Sequence, residues 1–175
     1  MKVTLIAAQS ADGFITRHGP PGSGFASPED QRYFRAALAE FDVSIMGSVT
    51  YLVDRTSTLG HLTAGRRRLV MTRDPSRFSG DAVPGRLEFT SEAAAALVNR
   101  LRAEGHRRCV LLGGSRVHSL FLDANLVDEL WLTLEPRLFG GGVPLLASPL
   151  DFQMRLLGHE RLEGSDTLLL KYSRQ

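Results

Sequence analysis

Cys109-Val110-Leu111-Leu112-Gly113-Gly114-Ser115-Arg116-Val117-His118 reads as a buried apolar strand that runs into two glycines and opens directly onto a helix. The strand signal is the unbroken Cys-Val-Leu-Leu run; the helical signal is the spacing of Val117, Leu120 and Phe121. A strand that ends where a helix begins brings free backbone N–H groups and the positive end of the helix dipole to one spot. Two readings of Gly113-Gly114 stand at this point. One is a tight turn; the other is the seat of a phosphate or pyrophosphate that the bare backbone approaches closely.

The same strand–helix alternation recurs on both sides of this stretch. Val3–Ala8 is a short apolar strand, followed by a Gly-, Pro- and Ser-rich segment over 9–26 of a length that tends to be functional. Ser27-Pro28-Glu29-Asp30 starts a helix, with Ser at the N-cap and Pro in the first turn. Tyr33, Phe34, Ala37, Leu38 and Phe41 give that helix its apolar face. Asp42–Gly47 reads as strand, Val49–Val53 as a helical turn and Arg68–Thr72 as strand again. Ser91 caps a helix that runs to Ala103 and stops at Gly105. Ser115–Leu122 is the helix after the glycine pair, and Val127–Leu134 the next strand. A glycine loop follows at 139–143. Gln153–Leu162 and Thr167–Ser173, joined by Glu163-Gly164-Ser165-Asp166, then read as an antiparallel hairpin. No repeat or linker divides the chain, so residues 1–175 are expected to form a single domain. The pattern predicts an α/β fold with a mixed central sheet and an antiparallel C-terminal hairpin.

Composition narrows the function classes. Two lysines and nineteen arginines give a net charge of only +2, and the one basic block is Arg66-Arg67-Arg68. That balance reads as a solvated arginine-rich surface, with no nucleic acid as partner. Cys109 is the single cysteine and sits in an apolar run, so no disulfide is expected. The thiol reads as a core residue rather than a nucleophile, in a cytoplasmic protein. No apolar stretch approaches the ~20 residues that span a bilayer, so no membrane is expected. His18, His61, His106, His118 and His159 are dispersed, and no metal site is expected. There is no Gly-x-Ser-x-Gly elbow and no Walker loop, and the pair Gly113-Gly114 lacks the third glycine of a Rossmann fingerprint.

Three further segments bear on the glycine pair. Ile45-Met46-Gly47-Ser48-Val49-Thr50 sets a glycine at a strand end and a hydroxyl three residues on. It reads as an ordinary capped turn or as a second phosphate seat. Val70-Met71-Thr72-Arg73 ends a strand in a hydroxyl and a guanidinium, suited to a phosphate monoester or simply to the surface. Asp30 is either a carboxylate beside a substrate or plain support for a helix N-terminus, where the dipole favours an anion.

Taken together and in this order, these residues resemble the dihydrofolate reductase-like superfamily over nearly the whole chain. Leu5-Ile6-Ala7-Ala8 with Asp12-Gly13-Phe14-Ile15 resembles its first strand and nicotinamide-contacting loop. Met46-Gly47-x-x-Thr50 and Gly113-Gly114-x-Arg116-Val117 resemble its two cofactor motifs. The resemblance implies a three-layer fold with a central sheet of eight strands, NADPH as cofactor, and a glycine pair that often carries a cis peptide. On that match the cofactor is held by Ala8, Ile15, Gly47, Thr50, Thr72, Arg73, Gly113, Gly114, Ser115, Arg116 and Val117. Leu126-Val127-Asp128-Glu129-Leu130 and Pro136-x-Leu138-Phe139-Gly140-Gly141-Gly142 are similar to the RibD-type reductase branch of riboflavin biosynthesis. That branch implies an NADPH-dependent reductase of 5-amino-6-(5-phosphoribosylamino)uracil type, acting as a homodimer on a small molecule. The chain departs from it at Asp54-Arg55-Thr56, and Arg17 and His18 are the only bases near the first loop. Pro28-Glu29-Asp30 with Tyr33-Phe34-Arg35 resembles instead the substrate segment of dihydrofolate reductase. There Asp30 is the catalytic acid, Phe34 stacks on the substrate and Thr133 partners Asp30. A non-catalytic nucleotide-binding module is the reading from another class.

Overall fold

The computed structural model describes residues 1–18 and 22–175. Among them, eight strands form one sheet: β1 (Lys2–Ser10), β2 (Val43–Gly47), β3 (Arg67–Met71), β4 (Leu87–Thr90), β5 (Arg108–Gly113), β6 (Glu129–Glu135), β7 (Met154–Arg161) and β8 (Leu168–Arg174). The helices are α1 (Pro28–Leu38), α2 (Ser48–Val53), α3 (Arg55–Gly60), α4 (Ala94–Ala103) and α5 (Ser115–Asp123), with a 3-10 turn at Pro75–Asp81.

Strand order is β4-β3-β2-β5-β1-β6-β8-β7. The pairs from β4 through β6 are parallel, and β8 runs antiparallel to both β6 and β7. The mixed sheet and closing hairpin expected from the sequence are therefore present. The chain leaves β1, builds outward through β2, β3 and β4, and returns to insert β5 between β2 and β1. Chain direction thus reverses around β1, β5 and β2, and the carboxyl ends of strands at such a reversal are where open α/β sheets bind ligands.

Residues alternate between two covered faces, as strands buried on both sides require. Val3 and Leu5 of β1, Val43 and Ile45 of β2, and Cys109 and Leu111 of β5 pack under Leu97 and Leu101 of α4 and Val117 and Phe121 of α5. On the other face Ile6, Val110, Trp131 and Leu169 pack against Ala37 of α1 and Phe41 just beyond it. Tyr51 of α2 and Phe78 of the 3-10 turn extend that layer over Met46 and Val70. Cys109 is fully buried, and burial pushes its thiol well above the usual range. Among the described residues no helix is long and apolar enough to cross a membrane.

Ser91 does not cap α4. The helix starts at Ala94 with Ala93 as N-cap and no side-chain cap bond. The Thr90 hydroxyl accepts the Glu92 N–H at 3.1 Å and donates to the Glu92 carboxylate at 2.9 Å, so a local side-chain turn occupies the place where Ser91 was expected to cap.

Candidate active site

The glycine corner lies at the carboxyl ends of β2 and β5, where Met46 pairs with Gly113. A Cβ on Gly47 would stand 3.1 Å from Val117 Cγ2 and 3.7 Å from the Gly113 carbonyl oxygen, so the two strand ends and α5 close up on a bare backbone. Gly113 has φ +89° and is joined to Gly114 by a cis peptide. A Cβ built on Gly114 would stand 3.6 Å from the Thr50 hydroxyl. Gly114 O accepts the N–H groups of Val117 (2.9 Å) and His118 (3.0 Å). The earlier N–H groups of α5 have no carbonyl one turn back. Gly47, Thr50, Gly113, Gly114 and Val117 thus come together as one cradle, with Ser115 buried beneath it and Arg116 exposed. Thr72 and Arg73 follow β3, one strand further out on the same edge. Thr72 donates its N–H to Thr90 O at 2.9 Å, and its hydroxyl accepts the Asp74 N–H at 3.2 Å. Arg73 is exposed and forms no ion pair among the described residues.

The first loop leaves β1 beside this corner. Ile15 donates its N–H to Val143 O at 2.8 Å, and Val143 donates back to the Thr16 hydroxyl at 3.0 Å. The Asp12 carboxylate accepts the Ser10 hydroxyl at 2.5 Å and the Gly140 N–H at 2.7 Å, together with the Phe139 N–H. These bonds, led by that from Ser10, hold its pKa below the ordinary carboxylate value. Asp12 therefore serves as a loop anchor. Gly142 has φ +144°, and a Cβ there would overlap the Thr16 carbonyl oxygen. The glycine run 140–142 is the bed on which the first loop lies.

Asp30 is buried at 6% exposure in the first turn of α1. Its pKa is raised, first by burial and then by the charge of Glu135, with the Thr133 hydroxyl pulling the other way. Ser27 caps the helix as expected, its hydroxyl accepting the Asp30 N–H at 3.1 Å. In a capping box the residue at Asp30's position would reach back to the Ser27 N–H. Here Glu135 of β6 accepts that N–H instead, at 2.8 Å, and also accepts the Thr167 hydroxyl at 3.1 Å. Asp30 is thereby released from capping; Thr133 of β6 aligns with Ala8 across the β1–β6 pair, and its hydroxyl donates to the Ala7 carbonyl oxygen at 3.5 Å. Phe34 lies half-buried one turn further along α1. Glu135 was missed from the sequence. Its one signal was a carboxylate closing an apolar strand just before Pro136.

A mixed eight-stranded sheet in the order β4-β3-β2-β5-β1-β6-β8-β7, closed by an antiparallel hairpin, is the dihydrofolate reductase-like fold. The model of the RibD C-terminal domain family matches residues 1–169, and the chain belongs to that family. It is 31% identical over 157 residues to the riboflavin biosynthesis protein RibD of Corynebacterium ammoniagenes, covering 85% of this chain and 47% of that protein. The chain thus spans about half the length of that relative. The crystal structure of a Thermotoga maritima diaminohydroxyphosphoribosylaminopyrimidine deaminase/5-amino-6-(5-phosphoribosylamino)uracil reductase superposes with a TM-score of 0.78 at 18% identity, over 99% of this chain and 56% of that one. Dihydrofolate reductase from Enterococcus faecalis, complexed with NADP(H) and RAB-propyl, superposes with a TM-score of 0.70 at 16% identity, over 99% of this chain and 96% of that one.

Proposed function

We propose that the chain is an NADPH-dependent reductase of the RibD C-terminal type, acting on a ribosylaminopyrimidine phosphate such as 5-amino-6-(5-phosphoribosylamino)uracil. The observation that carries this reading is the close approach of Gly47, Thr50, Gly113, Gly114 and Val117 at the carboxyl ends of β2 and β5, in a chain that also buries Asp30 in the first turn of α1. The cradle fits a dinucleotide, because α5 opens at the ends of β2 and β5 with N–H groups that have no carbonyl one turn back, and Val117 and His118 pack behind bare Gly47 and Gly113. Gly47, Thr50 and the N–H groups of 114–117 would hold the pyrophosphate, Thr72 and Arg73 the 2′-phosphate, and Ala8 and Ile15 the nicotinamide. When bound, the reduced nicotinamide supplies a hydride.

The remaining chemistry falls to this chain's side chains. Phe34 and Thr133 orient the acceptor. Asp30, whose burial favours the protonated carboxyl, delivers that proton to the ring nitrogen or amine as the carbon is reduced. A pteridine acceptor is the second reading, favoured by the buried Asp30 carboxyl in the first turn of α1. NADPH oxidation assayed against both dihydrofolate and the ribosylaminopyrimidine phosphate separates the two. Turnover of neither, with no NADPH binding by fluorescence titration, removes the reductase reading and leaves a module without this chemistry.

Arg73 tests the cofactor assignment on its own. A charge-assisted bond contributes about 1.5–3 kcal/mol, and exposure takes the low end of that range. Arg73→Ala is expected to raise the NADPH KM about tenfold while leaving that for NADH unchanged. An unaltered NADPH/NADH ratio would refute the assignment.

A further inference from the structure

His118 lies on α5, one turn past the glycine pair, at 1% exposure. Its Nδ1 is 2.9 Å from the Leu145 carbonyl oxygen, which accepts only, so the ring carries its proton on Nδ1. Its Nε2 has no hydrogen-bond partner. That edge of the ring fills the space where a Gly113 side chain would stand: a Cβ there would lie 2.7 Å from Cε1 and would overlap Nε2. The imidazole therefore touches the glycine corner on one side and grips Leu145 on the other. Leu145 in turn donates its N–H to Gly13 O at 3.2 Å, and two residues earlier Val143 O accepts the Ile15 N–H. Ser119, the next residue of α5, adds a second tie by accepting the Ala147 N–H at 2.9 Å.

We propose that His118 is a positioning residue: one imidazole sets the spacing between the glycine corner and the first loop beside it. A buried histidine with an orphaned Nε2 acceptor is costly to keep, and the Nδ1 tie to Leu145 is what this one provides. An apolar side chain of similar size would pack against Gly113 without that cost but would release Leu145. Burial lowers the imidazole pKa to about 4, so the ring stays neutral and its Nδ1 donor is permanent near neutral pH. The linkage between the two segments stands on geometry alone. Its kinetic consequence rests on the reductase reading above.

The test compares His118→Leu, which removes the donor, with His118→Asn, whose amide nitrogen sits where Nδ1 does. Amide hydrogen exchange on the full chain without nucleotide is expected to speed at least tenfold at Ile15 and Leu145 in His118→Leu. Ile45 and Leu111 in the sheet should stay unchanged, and His118→Asn should remain within about threefold of wild type at all four. Ring ¹⁵N shifts of the wild-type protein should show a protonated Nδ1 and a bare Nε2. With NADPH and a turned-over acceptor, His118→Leu should lose at least tenfold in kcat while its NADPH Kd moves less than threefold. Unchanged exchange at Ile15 and Leu145 in folded His118→Leu overturns the proposal, as does the opposite ring tautomer or an equal loss in His118→Asn. If wild type itself binds no NADPH, the reductase reading fails while the exchange and tautomer arms still decide the role of His118.

Discussion

Gly113→Ala is expected to destabilise the fold by about 2–5 kcal/mol and to abolish NADPH binding, whereas Gly114→Ala next to it leaves the fold intact. Two independent costs meet at Gly113. Its φ of +89° disfavours any L side chain, at about 1–2 kcal/mol. The added methyl also overlaps the His118 ring, and forcing an extra group into a packed core costs a further ~1–3 kcal/mol. For a chain of this size that corresponds to a fall in Tm of roughly 10 °C. Gly114 has φ −76°, and a methyl there meets only the Thr50 hydroxyl at 3.6 Å, an ordinary contact. Gly114→Ala should therefore melt within ~2 °C of wild type, yet raise the NADPH Kd at least about tenfold by standing where the phosphate approaches. Urea or thermal unfolding with nucleotide titration reads both quantities. The double variant Gly113→Ala/His118→Ala should regain the overlap cost but not the φ cost, a non-additivity of ~1–3 kcal/mol. Equal stability for the two single variants would show that the His118 contact does not constrain Gly113.

The parts of this site that were legible in the sequence are those written locally. Val110–Leu112 and Val43–Met46 announce strands because both faces are buried, and the glycines after them mark where the backbone must come close. β4 was not legible: four residues with Glu88 in the middle do not look apolar. Glu88 is placed there by Arg67 and Arg100, which pair with it from β3 and α4. Asp12-Gly13 was legible as the start of a loop, but not as the anchor of Phe139 and Gly140, far along the chain. His118 looked like one of five scattered histidines, and its meaning lies in a carbonyl 27 residues away. Ser27 and Asp30 matched a helix start from sequence alone. That Glu135 takes over the partner of Ser27 and leaves Asp30 free is a contact across 108 positions, which no local pattern encodes.

Asp30→Asn is expected to lower kcat by about 10²–10⁴-fold while the NADPH Kd stays within twofold. The replacement is nearly isosteric, so what it removes is the proton. The pH dependence has a definite sign. The Asp30 pKa is raised by burial and by Glu135, the acid form is the one required, and so wild-type kcat/KM is full on the acid side and falls as pH climbs through that shifted pKa. Asp30→Asn should lose this limb and leave a low, flat profile. Glu135→Gln removes the neighbouring negative charge and should move the wild-type limb to lower pH. The Asp30 contribution to stability has the same sign with pH as activity. A carboxyl whose folded pKa is raised contributes stability as the neutral acid, and that contribution is lost as pH rises from 3.8 through the folded value. Above that folded value the wild-type protein carries the cost of a buried charge that Asp30→Asn does not, so there the variant should melt no lower than wild type. A residue serving only the helix start predicts the reverse on both axes: kcat within about threefold of wild type, and a lower Tm from the weakened first turn.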